Sequence, residues 1–480
     1  SPMGRGLDSF DAYSWRSLLQ AMEILVCATR HAEALRLADG LEAAGARATI
    51  AQDQEIALDR ALRRTYAIVL LALGMWIPFV VAGSAIAIIA TTRGLDGLNA
   101  VGLVTWSSSN SFTLTAIPLF ILMAEVLLQS GLATRLYRGL AKATRRLPGG
   151  LLQTNIIGCA IFSAISGSSV ATAAAIGTVA VPQLEKRGYD MRMAYGSLAA
   201  GGTLGILIPP SIALIVYGAF TETSIVKLFA AGLVPGLMLT LLFALFVGLR
   251  GGRMTERSPV EAIESGSSVV NDVLPVLALV LLVLGALYLG FATPTEAAAV
   301  GSVAALVIGG VFGRLDRDRL GTAFHRATRT SSTILFIVIA AYLFSFAMAI
   351  SGISAAVTGW IVGLELSRLA FLVAIAVLYV ILGLFIESIA MMVITVPLIA
   401  PAFALYGIDP IWFGVFLVIL IELGQVTPPF GLNLFVVQSV NKAPYVDVVM
   451  GALPYYALLV AGLVLLVLFP ALALWLPGFV

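Results

Sequence analysis

The sequence predicts an all-α integral membrane protein built as an inverted repeat, with two re-entrant hairpins and two proline-broken helices. Three observations carry this. Hydrophobic residues make up 60% of the 480 and charged residues 11%, with a mean hydropathy of +1.02, beyond what a soluble core and shell require. Two apolar blocks, 150–182 and 368–403, are too long for one span and carry Gly, Ser or Pro near their middles. Motifs of the first half recur in the second at a nearly constant spacing.

The formal charge of +2 is too small for a protein that binds nucleic acid through bulk positive charge. Cys27 and Cys159 lie far apart, and neither His31 nor His325 has a ligand-spaced partner. The sequence therefore predicts neither a disulfide nor a transition-metal site.

Residues 1–64 hold eight of the 28 basic residues and no stretch long enough to span a bilayer. They read as a polar cytoplasmic extension in which "EILVCAT", "RHAEALRLADGLEAAG" and "ARATIA" suit strand, helix and strand. No secretory signal is expected, since the polar run is too long and no charged segment leads directly into an apolar core. From Thr65 onward, apolar runs predict spans at about 66–90, 112–131, 193–218, 226–249, 273–291, 295–313, 331–351, 411–437 and 448–476.

Reading 150–182 and 368–403 as hairpins that enter and leave by one face reconciles the charges. With the N-terminus inside, the inner loops 132–149, 183–192, 250–272, 314–330 and 438–447 together hold 17 Lys or Arg, and the outer loops hold only Arg93, Lys227 and Arg368. This obeys the positive-inside rule, leaves no basic residue within a span beyond Lys227 at the very start of one, and puts the C-terminus outside.

The repeat divides the chain into 65–272 and 273–480. "SGSS" from Ser166 pairs with "ESIA" from Glu387, an offset of 221; "GILIPPSIALIVYG" pairs with "GQVTPPFGLNLFVV" through Pro209 and Pro428, an offset of 219; Gly131 pairs with Gly352, again 221. The first hairpin opens inward and the second outward, so the halves are inverted, as in secondary transporters.

A backbone that leaves the helix inside a bilayer exposes polar groups costing several kcal/mol each unless they find partners. Pro209/Pro210 and Pro428/Pro429 remove amide donors, which is expected to free carbonyls over Gly205–Ile208 and Gly424–Thr427. The tips at 166–169 and 387–389 are expected to meet these breaks. Hydroxyls and carbonyls suit a hard monovalent cation such as Na⁺, and half-helix N-termini suit an anionic substrate.

Simpler readings compete at several positions. Ser166, Gly167 and Ser168 are small enough to serve only close helix packing. Glu125 and Glu422 read as acids hydrogen-bonded to neighbouring helix ends, whereas Glu387, at a tip, reads as functional. "TPTE" at 293–296 reads as a capping box, with Thr293 at the N-cap and Glu296 closing it. No His-Glu-x-x-His, Gly-x-Ser-x-Gly or P-loop is present, so an enzyme is not expected. A stand-alone cation- or proton-coupled carboxylate symporter of similar architecture and a membrane scaffold remain alternatives.

Through "AIPLFILMAEVLLQSG", "SGSSVATAAAIGTVAVPQLEKRGYD", "GTLGILIPPSIALIVYG", "FATPTEAAAV", "GIDPIWFGV" and "ELGQVTPPFGLNLFVV", in that order over about 66–478, the chain resembles the large membrane subunit of tripartite ATP-independent periplasmic (TRAP) transporters. The resemblance implies sodium-coupled import of a small organic acid across the bacterial inner membrane by an elevator movement of the two hairpins and two broken helices, without a cofactor. It implies two partners: a small four-helix membrane subunit, expected on a separate chain, and a periplasmic substrate-binding protein. Carried onto this sequence, the first sodium site comprises Ser166, Ser168, Gly205, Ile208 and Pro210, and the second Glu387, Ser388, Gly424, Thr427 and Pro429. Ser169, Thr172 and Asn433 are the expected substrate contacts. The second tip carries Glu where the family pattern has Asp, which moves the carboxylate by a methylene.

Overall fold

Asp, Ser and Thr caps and glycine stops cut the apolar chain into helices. The computed structural model describes residues 76–251 and 268–480, all within one compact unit, Leu70–Val480. The expected strand–helix–strand extension at 1–64 and Cys27 lie outside the described residues.

The first half runs α1 (Ile77–Arg93), α2 (Asn99–Ser109), α3 (Ala116–Gln129), α4 (Leu132–Ala143), α5 (Leu151–Ser166), α6 (Ser169–Lys186), α7 (Met191–Thr203), α8 (Ile212–Thr221) and α9 (Ile225–Gly251). The second runs α10 (Val269–Tyr288), α11 (Pro294–Phe312), α12 (Arg317–Ile350), α13 (Ile353–Gly363), α14 (Arg368–Gly383), α15 (Ser388–Ile399), α16 (Pro410–Gln425), α17 (Leu432–Asn441), α18 (Tyr445–Leu468) and the short α19 (Ala471–Leu474).

Among the described residues, α9, α10, α11, α12 and α18 are each long and apolar enough to cross a membrane, and α3 and α4 make a sixth such element bent by 68°. Nine full spans were expected. Of the three not among them, 193–218 and 411–437 are interrupted, giving α7/α8 and α16/α17, and 66–90 is described only from residue 76, where α1 has 17 residues.

Three segments expected as loops are partly helical. At 132–149 the chain turns at Gly131, whose φ of 76° is left-handed, and continues as α4. That helix buries Leu132, Leu136, Tyr137 and Leu140 on one face and leaves Arg138 exposed on the other, a spacing that fits a helix lying along an apolar surface. At 353–367 the same device recurs, with Gly352 at φ 72° before α13. The basic loop 314–330 instead lengthens α12 to 34 residues, started by Asp316, whose carboxylate accepts the Arg319 N–H at 2.9 Å. The capping box at Thr293/Glu296 is present as expected.

Helix boundaries recur between the halves. N-caps Asp190 and Asp409 are 219 apart, N-caps Ser168 and Glu387 are 219 apart, and the left-handed C-caps Glu222 and Lys442 are 220 apart. This corrects the register at the tips. Glu387 corresponds to Ser168, at the same 219 that separates the Pro–Pro pairs, whereas the expected pairing with Ser166 is two residues out.

The halves also interlock. α6 packs against α17, and α15 packs against α8, so the second helix of each tip contacts the second part of the opposite broken helix. Within the first half, a buried chain of hydrogen bonds ties α4, α5 and α7 together: Tyr137 OH donates to Asn155 Oδ1 at 2.9 Å, and Asn155 Nδ2 donates to Ser197 Oγ at 2.9 Å.

α7 and α18 cross closely at two glycines. A Cβ on Gly451 would strike the Arg192 carbonyl, and one on Gly196 would strike the Gly451 carbonyl. Both obstacles are backbone, so neither can rotate away. Gly451→Ala is expected to destabilise the protein by about 1–3 kcal/mol through overpacking, read as a lower midpoint in thermal unfolding of the purified protein. Gly102→Ala, where a Cβ meets nothing within 4 Å, is the control and should leave the midpoint unchanged or slightly raised.

Candidate functional site

At the first tip, α5 ends on Gly167 at φ 58°, whose N–H donates to the Ser163 carbonyl at 3.1 Å. The extended Ser168 then caps α6, its Oγ accepting the Ala171 N–H at 3.4 Å. Gly167 is required here twice over. Its φ is left-handed, and a Cβ would lie 2.7 Å from the Pro210 carbonyl oxygen.

The first break meets this tip directly. α7 passes into a 3₁₀ turn at Leu204–Ile206, and the cis Pro209–Pro210 bond precedes Ser211, the N-cap of α8. A Cβ on Gly205 would lie 2.5 Å from the Ser168 carbonyl oxygen, and the Ile212 N–H donates to the Gly167 carbonyl at 3.4 Å. Ser166 Oγ lies 2.7 Å from Thr172 Oγ1, and both side chains are buried. Ser166, Ser168, Thr172, Gly205 and Pro210 thus come together around one tip. The carbonyls of Ile208 and Pro210 accept no hydrogen bond from the described residues, leaving two oxygens for another partner.

The second tip differs in chemistry. Glu387 is the N-cap of α15, and its carboxylate accepts the Ile389 and Ala390 N–H groups at 3.0 and 3.2 Å and the Ser388 hydroxyl at 2.5 Å. It is half-buried. The second break, with its cis Pro428–Pro429 bond, approaches the tip through the Phe385 and Phe430 rings, 5.6 Å apart. On this side the expectation of freed carbonyls is met by Gln425 and Val426, which accept no hydrogen bond from the described residues, and not by the expected ligands. Gly424 O accepts from Thr427 N at 3.1 Å, Thr427 O from Gly431 N at 3.0 Å and Pro429 O from Tyr445 OH at 2.6 Å. The chain tightens locally and takes up these acceptors, so an ion on them would use the second lone pair of each oxygen.

Glu422, expected as an acid hydrogen-bonded to neighbouring helix ends, meets side chains in the first turns of α6 and α17. It lies in the last turn of α16, accepts the Ser169 hydroxyl on Oε1, and accepts Asn433 Nδ2 on Oε2 at 3.1 Å. Ser169 belongs to the first tip and Asn433 to the second broken helix. Glu422, Ser169 and Asn433 are all at most 3% exposed. Of the three expected substrate contacts, two therefore hold Glu422 and the third, Thr172, holds Ser166. An acid within an apolar run with no basic residue near it was the available signal for Glu422. Glu125 is simpler, accepting Gln129 Nε2 one turn along its own helix at 3.5 Å. Away from both tips, a cleft of about 500 Å³ is lined by Phe220, Thr221, Glu222, Phe403, Ile408 and Pro410, among others.

Apolar spanning helices, interlocked halves and two tips seated against two Pro–Pro breaks define a membrane transporter. The chain belongs to the family described as "Tripartite ATP-independent periplasmic transporter, DctM component", whose model matches residues 65–472. It is 35% identical over 386 residues to the C4-dicarboxylate TRAP transporter large permease protein DctM of Pseudomonas aeruginosa, covering 80% of this chain and 90% of that protein. It is 30% identical over 412 residues to the sialic acid TRAP transporter large permease protein SiaM of Vibrio cholerae, covering 85% and 96%. The crystal structure of the Alcanivorax borkumensis YdaH transporter, described as having an unusual topology, matches with a TM-score of 0.60 over 79% of this chain and 90% of that one. At 17% identity it shows the likeness of fold.

The tip geometry has a direct test. Ser168→Ala removes the cap of α6 and should destabilise the protein by about 1 kcal/mol, read in thermal unfolding. Ser168→Asp keeps an acceptor in place and should recover most of that loss.

Proposed function

We propose that this protein imports a small organic acid across the bacterial inner membrane, driven by sodium, as the large subunit of a three-part system. A periplasmic binding protein delivers the substrate, and a small four-helix membrane subunit on a separate chain braces the large one. The two tips and two breaks form a unit that moves as an elevator between the two faces, with 150–182 and 368–403 as hairpins opening to opposite sides. The N-terminus faces the cytoplasm and the C-terminus the periplasm.

The first tip supports this reading best. Ser166 and Ser168 bring hydroxyl oxygens to a break whose Ile208 and Pro210 carbonyls accept no hydrogen bond from the described residues. Neutral oxygens of this kind suit Na⁺ in a dry interior. The N-terminus of α6, capped by a neutral serine, is the end at which a substrate carboxylate can bind, with a sodium ion beside it to balance its charge. The names of the relatives, for C4-dicarboxylate and for sialic acid, fit an acidic substrate. In the second half the proposed sodium ligands are Glu387, Ser388, Gly424, Thr427 and Pro429.

Uptake into proteoliposomes holding this protein and its small subunit, with the binding protein added outside, tests the coupling. Ser166→Ala should raise the sodium concentration for half-maximal uptake about five- to thirtyfold, the equivalent of about 1–2 kcal/mol for one lost polar contact. Uptake that runs equally well on a proton gradient without sodium would refute the coupling. Orientation is tested separately by single cysteines in a cysteine-free background. Position 138 should resist an impermeant thiol reagent applied to the periplasmic face, and a position in 364–366 should react.

A further inference from the structure

Glu422 poses a problem of charge and of hydrogen bonding. It is 1% exposed, and the ion pairs among the described residues, Arg135–Asp272, Arg192–Asp447 and Arg319–Asp316, do not include it. The charged groups on its own helix and on those packed around it lie at their ends: Asp409 before α16, Glu387 before α15, Lys227 and Arg250 on α9, Arg368 on α14, Asp447 on α18, Lys442 after α17, Glu222 after α8 and Glu185 and Lys186 on α6. A buried carboxylate without a basic partner needs a positive charge from elsewhere.

The groups beside it are short of partners as well. Gln425 follows Glu422 by three positions and so shares its helix face. Gln425 is 1% exposed, and both its Oε1 and its Nε2 lack a hydrogen-bond partner. Asn433 is fully buried. Its Nδ2 is held by Glu422 at 3.1 Å, while its Oδ1 has no partner. Buried polar atoms without partners are rare and destabilising, and the two orphaned amide oxygens of Gln425 and Asn433 beside an uncompensated carboxylate point to a missing ligand. That ligand must be positively charged and must accept oxygen donors. A proton balances the charge but cannot satisfy two separate amide oxygens at once, whereas one hard cation can.

We propose that Glu422, Gln425 and Asn433 form a further monovalent-cation site, filled by Na⁺ and distinct from the two tip sites. It takes a carboxylate oxygen from Glu422 and the amide oxygens of Gln425 and Asn433, the ligand type that hard cations prefer. Ser169 of the first tip holds the same carboxylate, so an ion here joins the first tip to the second broken helix and couples the two halves to sodium. The inference rests on the sodium reading given above.

The experiment counts ²²Na⁺ bound to the purified protein by equilibrium dialysis and follows thermal unfolding in NaCl and in choline chloride at equal ionic strength. Glu422→Gln and Gln425→Leu should each bind one sodium fewer than the wild type and lose part of the sodium-dependent rise in midpoint. Gln425→Leu leaves the Ser169 and Asn433 contacts of Glu422 in place, so it remains informative if Glu422→Gln does not fold. A merely structural Gln425 predicts something else. Its replacement by leucine would remove two unsatisfied atoms and raise the midpoint equally in both salts, with an unchanged sodium count, and that result would overturn the site while leaving the tip sites standing. A wild type that binds no sodium would overturn this site and the sodium coupling together.

Discussion

The structure depends on one constraint: a peptide group in an apolar interior must find its hydrogen-bond partner inside the protein. The long helices meet it along their own axes. Elsewhere the chain breaks, at Gly167–Ser168, before Glu387 and at the two Pro–Pro turns, and each break exposes groups that cost several kcal/mol if left alone. The organisation of the molecule follows from how those groups are satisfied. Ser168 and Glu387 cap the helices that follow the tips, Ser211 caps α8 and reaches back to the Ile206 carbonyl, and Gly167 accepts a hydrogen bond across the break from Ile212. The tips are therefore seated by backbone need as much as by side-chain packing.

The two halves solve the problem unequally. In the first, Ile208 and Pro210 keep carbonyls with no donor among the described residues. In the second, Gly424, Thr427 and Pro429 have theirs taken by neighbours, one of them through the Tyr445 hydroxyl. The tips differ in the same sense. A neutral serine caps the first and a carboxylate caps the second. A repeated backbone has thus come to carry two chemically distinct sites, one offering free neutral oxygens and the other a negative charge already engaged with helix N–H groups.

Between these sites the halves are joined by packing and by one polar cluster. α6 lies on α17 and α15 on α8, so each tip packs against the opposite broken helix. Glu422 adds a polar link, held by Ser169 from one half and Asn433 from the other. Buried polar links of this kind are favourable only when fully satisfied. The orphaned atoms of Gln425 and Asn433 therefore leave this cluster dependent on whatever completes it.

Much of this was legible in the chain itself. Composition and run length determine a membrane protein of apolar helices. The interruptions at 166–169, 209–210, 387–389 and 428–429 can be read directly, because glycine, serine and proline carry their backbone consequences with them. Local signals of the same kind locate the capping box at Thr293. Other features are long-range and were decided only by tertiary structure. The pairing of Ser168 with Glu387 differs by two residues from the one motif matching suggests, because helix boundaries, and not letters, mark equivalent positions. The basic loops proved partly helical because their apolar faces found surfaces to lie on, as α4 does. Which helix ends Glu422 meets could not be read from its own position in the chain. Its partners lie 253 and 11 residues away in sequence, and only the interlocking of the two halves brings a serine from one tip against a carboxylate from the opposite broken helix.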